Sequence, residues 1–399
     1  MQEVVQEVAQ EIVVLGSART PIGAFRGAFR DLPAPQLGAR ALQEAISRAG
    51  IEPAQVEQVN MGCVLTSGLG QAPARQAAIA AGCGVATGAI TLNKVCGSGM
   101  RAVMIAANDL RFGDHEIIAA GGMESMSNAP YLLPGARGGL RYGHQRLVDS
   151  MIHDGLWDPY NDLHMGSCAE ICAREYSFAR EAQDELAIES YRRARAATEE
   201  GLFAAEIVPV EVPGKGEAVV VDRDEDPFRV DLEKAPKLRP VFDPEGTVTA
   251  ANASNLNDGA AALVLSTAEV AERRGLAPRG RIRAQASVAQ APEWFTTAPV
   301  AAIRKVLERS GLGISDIDLF EINEAFAVVV MACERELSIP HERVNVHGGA
   351  IALGHPIGAS GARILVTLLH ALEARDLTLG LAAICIGGGE ATAVVVERR

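Results

Sequence analysis

Short apolar runs alternate along most of this chain with segments whose apolar residues recur every three or four positions. Residues 11–15 read as a strand, followed by the turn Ser17-Ala18-Arg19-Thr20-Pro21. Helical periodicity covers residues 34–49 up to Gly50, and residues 56–61 read as a strand and 71–81 as a helix. A strand is expected over 88–95. Beyond it, Met100, Val103, Met104, Ala107 and Leu110 give a helix one apolar stripe. The run Glu116-Ile117-Ile118-Ala119-Ala120-Gly121-Gly122 is a buried strand ending in glycines. Strands alternating with helices place the chain in the α/β class and imply a mostly parallel sheet with right-handed crossovers.

The same order then returns. Residues 42–50 are echoed by 303–311, a shift of 261 positions from Leu42 to Ile303, and 56–61 match 317–322 in the same register. Ser98-Gly99-Met100-Arg101 meets Ser360-Gly361-Ala362-Arg363 at a shift of 262, and Gly121-Gly122-Met123-Glu124 meets Gly387-Gly388-Gly389-Glu390 at 266. Four echoes in order predict two layered copies of one α/β unit, each with its own sheet and helices. The N-terminal half takes residues 1–273 and the C-terminal half 280–399, with a linker over 271–280. Residues 123–254 include material with no counterpart in the second half. They hold a Gly/Pro-rich loop (129–143), a long helical stretch (168–200) and a hairpin from 206–212 and 218–222 around Pro213-Gly214-Lys215-Gly216. This insertion reads as a lid over a site, and residues 250–266 return to the first copy.

Composition narrows the function. The 399 residues are 48% hydrophobic, 22% charged and 4% aromatic with 40 glycines, a soluble α/β profile. A net charge of −13 argues against nucleic acid, whose phosphates need a basic face. The 7 cysteines are odd in number and scattered, and none forms C-x-x-C, so neither a disulfide framework nor a structural zinc site is indicated. Free thiols suit the cytoplasm. Residues 1–11 lack a basic start and a signal-peptide core, and no apolar run is expected to reach the roughly 18 residues of a membrane helix.

The candidate chemistry centres on Cys96, at a strand-to-helix turn within Asn93-Lys94-Val95-Cys96-Gly97-Ser98-Gly99. A helix N-terminus favours thiolate and is expected to lower its pKa, while Gly97 and Gly99 would leave space above the sulfur for a substrate carbonyl. Two alternatives stand beside the nucleophile: a small buried hydrophobe, or a nucleotide loop from the weak G-x-G-x-x-A match at 97–102. The second copy puts His355, flanked by Gly354 and Pro356, at the equivalent turn, so two-fold pairing would bring both residues to facing helix N-termini. Histidine can take the thiol proton and then hydrogen-bond an oxyanion; His347 reads as structural. In Ala383-Ile384-Cys385-Ile386-Gly387-Gly388-Gly389-Glu390-Ala391-Thr392-Ala393, small residues at 387, 389, 391 and 393 mark a strand face in close contact. Cys385 could move protons with a pKa near enough to neutral, and the Gly387 N–H could serve an oxyanion. Asn323, ending a strand, could fix a water or carbonyl.

These three segments, with Asn323-Glu324-Ala325-Phe326, resemble the signatures of the thiolase family from about residue 12 to 397. The resemblance implies a two-half α/β thiolase fold and ping-pong acetyl transfer in fatty acid metabolism. Two acetyl-CoA would give acetoacetyl-CoA and coenzyme A, with no cofactor beyond coenzyme A as substrate and no metal. By resemblance Cys96 is the acylated nucleophile and His355 activates it. Cys385 is the acid/base, Asn323 holds an oxyanion-hole water, and Gly387 forms a second hole with the Cys96 N–H. His164, Met165, Gly166, Ala253 and Ser254 match coenzyme A contacts, and Phe326 a pocket wall. A cytoplasmic homotetramer with contacts from 123–143 is implied, with neither nucleic-acid nor membrane partner. Three features leave detail open: Glu390-Ala391 departs from many relatives, Arg223, Arg229 and Lys234 compete for the nucleotide, and Trp294-Phe295 lies where acyl preference varies. The alternatives are a 3-ketoacyl-CoA thiolase of broader chain length, a ketoacyl synthase, and a non-catalytic acyl-CoA-binding protein. The last two would lack features this chain keeps.

Overall fold

The computed structural model describes residues 10–214 and 216–399, so the stretch 1–9 and the hairpin residue Lys215 lie outside the described residues. The first copy runs β1 (Ile12–Arg19), α1 (Ala34–Arg48), β2 (Gln58–Gly62), α2 (Pro73–Ala80), β3 (Gly88–Leu92), α3 (Ser98–Phe112) and β4 (Ile117–Ser125). An insertion carries α4 (Met165–Glu175), α5 (Arg180–Glu199) and the hairpin strands β5 (Val210–Val212) and β6 (Val219–Val221). Then β7 (Asn257–Thr267) completes the first copy and α6 (Ala268–Arg274) leads out of it. The second copy runs β8 (Gly280–Ala289), α7 (Ala298–Ser310), β9 (Leu319–Ile322), α8 (Ala327–Leu337), α9 (Ala350–Leu353), α10 (Ile357–Ala374), β10 (Leu379–Ile386) and β11 (Glu390–Arg398).

Duplication is visible in the strand order. The principal sheet reads β9-β10-β11-β8-β1-β7-β4-β2-β3, so β8-β11-β10-β9 repeats β1-β7-β4-β2 outward from the middle. Even the irregularity recurs: register shifts between Val14 and Gly16 in β1, and between Ile282 and Ala284 in β8. The expectation of a separate sheet for each copy fails, because β1 pairs antiparallel with β8 over residues 12–14. Each would otherwise be an edge strand with unpaired backbone groups, and the junction satisfies them.

The mostly parallel sheet is also corrected. Only β2 with β3, β2 with β4, and β9 with β10 are parallel among the principal pairs. β7 returns after the insertion and β11 after a tight turn, and both enter antiparallel. That turn is the glycine run: Gly388 and Gly389 have φ of 89° and 80°, so of the four small positions only Ala391 and Ala393 lie on a strand.

Helices α1 and α2 cover one outer face, α7 and α8 cover the other, and α3 and α10 lie between the halves. Strand β1 is buried throughout because Ile12 and Val14 enter the central core while Val13 and Leu15 enter the core under α1. Three further expectations shift. The strand expected over 88–95 stops at Leu92, and the helical stretch 168–200 breaks into α4 and α5 around Ser177, whose φ is 51°. The hairpin does not cover a site, since Val210 and Val212 pack into the α1 core. Finally, α10 does have the length and apolarity of a membrane helix, with mean hydropathy 1.2 over 18 residues, but 89% of it is buried between the halves.

Candidate active site

Two glycines decide where the site forms. A Cβ on Gly99, in the first turn of α3, would lie 2.9 Å from Ala362 N of α10. One on Gly361 would lie 2.5 Å from Met100 N. These are equivalent positions of the two copies, and without side chains they let the helices cross backbone to backbone at their N-terminal ends. The turns preceding the helices, with Cys96 and His355, therefore open into one cavity of about 350 Å³. The expectation that Gly97 and Gly99 clear space for substrate is thus corrected: a Cβ at Gly97 would collide with Ile386, and Gly99 makes room for α10.

Cys96 sits after a contorted turn. Val95 holds φ 45°, a costly conformation for a β-branched residue. Ser98 Oγ braces it, accepting from Lys94 N at 2.8 Å and donating to Val95 O at 2.6 Å. Contrary to the lowered pKa expected from the helix terminus, burial pushes the Cys96 thiol up to about 11, against the N–H groups of Gly387 and Cys96 itself. Desolvation by the apolar walls outweighs those dipoles.

His355 is held by its backbone and by its ring. Its N–H donates to Asn257 Oδ1 at 2.9 Å, and Asn257 Nδ2 donates to Asp226 at 2.7 Å. Its ring Nδ1 lies 2.6 Å from Ser360 Oγ, whose hydroxyl donates to Pro356 O at 3.0 Å. The Ser360 lone pairs therefore receive Nδ1–H, which leaves Nε2 as an acceptor; it is buried and unpartnered. Burial, with Arg363 adding to it, lowers the ring's pKa to about 3. Thiol and imidazole are both neutral at pH 7, and the base is free to take the proton.

Asn323, directly after β9, is fully buried with both amide atoms unpartnered, as a group awaiting water or a carbonyl would be. Cys385, one residue before the end of β10, is fully buried. Burial, then the neighbouring Cys96, push its thiol well above the ordinary range, so the near-neutral pKa expected for it is corrected. Gly387 lines the cavity with Cys96 and His355, whereas Asn323 and Cys385 are not on its lining.

Farther out the wall is aromatic and sulfur-bearing. His164 caps α4, its Nδ1 accepting from Gly166 N at 3.0 Å, and stacks on Phe242 with centroids 4.8 Å apart. Phe326 meets Phe242 and Phe295 edge-on at 6.3 and 6.2 Å. Met165, Ala253 and Ser254 also line the cavity whereas Gly166 does not, and Ser254 N donates to Ala325 O at 3.0 Å. Arg223, Arg229 and Lys234 do not line it: the first lies over Phe228, and the others pair with Glu225 and Asp231. Trp294 is off the cavity and Phe295 on it. Sequence reasoning missed Phe242, Met126, Met151, Leu156 and Asn257. Gly166 was the available signal for Phe242, since a Cβ there would collide with that ring. No cluster of three or more His, Cys, Asp or Glu suited to a metal occurs among the described residues. His347 lies against Phe203, away from the cavity.

The thiolase N-terminal domain model matches residues 12–269 and the thiolase C-terminal domain model residues 276–398. Acetyl-CoA acetyltransferase 1 of Arabidopsis thaliana is 53% identical over 391 residues, covering 97% of this chain and 94% of its own. Acetyl-CoA acetyltransferase of Cupriavidus necator is 51% identical, covering 98% and 100%. The crystal structure of acetyl-CoA acetyltransferase from Bacillus anthracis superposes with a TM-score of 0.96 at 40% identity, covering 98% of this chain and 99% of that one. Acat5 thiolase of Ascaris suum, solved in complex with coenzyme A, has a TM-score of 0.93 at 44% identity, covering 98% and 100%.

Proposed function

The chain belongs to the thiolase family, and from that premise we propose how this acyltransferase joins two acetyl-CoA molecules into acetoacetyl-CoA and coenzyme A, and reverses the reaction, through an acyl group on Cys96. His355 Nε2 takes the thiol proton as sulfur attacks the thioester carbonyl, and coenzyme A leaves as its thiol with the proton of Cys385. The N–H groups of Cys96 and Gly387 receive the oxyanion of the acyl-enzyme. Cys385, now a thiolate, takes the α-proton of the second acetyl-CoA while His355 and a water on Asn323 bind its thioester oxygen; the carbanion attacks the acyl carbonyl and displaces Cys96, which recovers its proton from His355. The thioester itself acidifies the α-carbon, so the step draws on no redox cofactor or metal. One observation carries this reading: the Cys96 thiol and a neutral His355 Nε2, unpartnered among the described residues, share one cavity.

His164, Met165, Ser254 and Phe326 supply the wall along which coenzyme A would lie. Tyr131, Leu133, Leu140, Tyr142 and Leu147 are exposed apolar side chains within 131–147, which supports assembly into a tetramer through that loop. Seven free cysteines support a reducing compartment such as the cytoplasm.

The test is the acyl-enzyme. Incubated with acetyl-CoA, the peptide bearing Cys96 should gain one acetyl group, and Cys96→Ala should lose at least roughly a thousandfold in thiolysis. Near-parental thiolysis by that variant removes Cys96 as nucleophile. Comparing kcat/KM for acetoacetyl-CoA with a longer 3-ketoacyl-CoA separates this activity from a broader degradative one.

A further inference from the structure

Glu124, near the end of β4, is fully buried yet takes four hydrogen bonds on its carboxylate. Oε2 accepts from Val64 N at 3.0 Å and Gly358 N at 2.9 Å, while Oε1 accepts from Leu65 N at 3.1 Å and the Cys63 thiol at 3.7 Å. These donors come from two places that matter. Gly358 lies in the first turn of α10, three residues beyond His355. Val64 and Leu65 belong to the small apolar cluster against which Cys96 packs. Gly358 admits the carboxylate, since a Cβ there would lie 2.6 Å from Oε2.

The duplication sharpens the point. By strand register Ile386 is the equivalent residue of the second copy, and its side chain is apolar. The repeat's fold therefore does not require a buried carboxylate at this position. Only the copy that carries the nucleophile buries one.

We propose that Glu124 is a positioning residue of the acyl-transfer site, tying the turn that carries His355 to the floor beneath Cys96 and keeping the unacylated sulfur in its thiol form by its negative charge. Burial is the larger cause of the raised Cys96 thiol, and the Glu124 carboxylate adds to it. Burial also pushes the Glu124 carboxyl up to about 7, against the backbone N–H groups of Val64, Leu65 and Gly358. The other ionisable groups around the sulfur are Cys385 and His355, which are neutral at pH 7, and Cys63 faces Glu124 itself as a thiol. Among the described residues a charged Glu124 thus has no cation against it, and its charge adds to the raised Cys96 thiol.

The inference rests on the acyl-transfer reading, but its first readout, alkylation of the free thiol, needs no turnover. Glu124→Gln keeps the shape and removes the charge. The midpoint of Cys96 alkylation by iodoacetamide should move to lower pH, while kcat falls at least tenfold. A folded variant with the parental alkylation profile overturns the electrostatic role, since a merely structural residue would leave that profile in place. Glu124→Asp keeps the charge but withdraws it from Gly358 N. It should hold the parental alkylation midpoint and still lose at least tenfold in kcat, and a parental kcat overturns the positioning role. If the parent itself shows no thiolysis, the functional reading fails instead.

Discussion

Cys96 and His355 illustrate how burial can reverse an expectation drawn from a helix terminus. With the thiol near 11 and the imidazole near 3, neither group is charged at pH 7. The thiolate fraction of the free protein should rise about tenfold per pH unit between 7 and 9, so the alkylation rate of Cys96 should climb without a plateau. A plateau near neutral pH would reveal a preformed thiolate–imidazolium pair and contradict the neutral one. Cys385 poses a different test, because its role rests on position more than on residue type. Cys385→Ser preserves size and hydrogen bonding, but a hydroxyl is a poor base near pH 7. The variant should still acetylate Cys96 from acetyl-CoA, visible by mass, while condensation falls by roughly two to four orders of magnitude. Condensation within a fewfold of the parent's would mean that Cys385 only packs beneath the turn. Cys96 and Cys385 were legible from the glycines beside them; their raised pKa values were not, because burial is a property of the surroundings.

Among the elements, the crossing of α3 and α10 does most to create the site. Its register is set by Gly99 and Gly361, which face each other's backbones. Gly361→Ala places a methyl group against Met100 N in a contact that neither helix can yield without moving its neighbouring turn. Overpacking of this kind costs about 1–3 kcal/mol, to be read from denaturant midpoints. The loss of kcat should exceed what that destabilisation explains at temperatures where the variant is folded, because Cys96 and His355 shift together. An active variant of parental kcat would show that the crossing is not what registers them. Helix ends were readable: α1 and α7 stop just ahead of Gly50 and at Gly311, with φ of 70° and 69°, the left-handed stop that glycine favours. The crossing was not, because a glycine that admits a helix looks the same in sequence as one that clears space for substrate.

At the scale of the whole molecule the two copies share a central core in addition to the outer one that each has. α3 and α10 pack together with residues of β1, β4 and β7 on one side and β10 and β11 on the other. Neither half can keep that core alone, so calorimetric unfolding should give a single cooperative transition, and two resolved transitions would contradict the shared core. The chain by itself determined the α/β class, the duplication and the residues that meet at its centre. These follow from local periodicity and from echoes such as Ser98-Gly99 with Ser360-Gly361, which need no knowledge of distance. Only the tertiary structure decided that β1 and β8 join the copies into one sheet, that β7 and β11 enter antiparallel, and that the hairpin packs under α1 and not over the cavity. It alone placed Phe242 on His164 and four donors on Glu124. Strand partners and desolvation depend on which distant segments arrive beside one another, and a hydrogen-bond ladder or an apolar wall leaves little trace in the residues on one side of it.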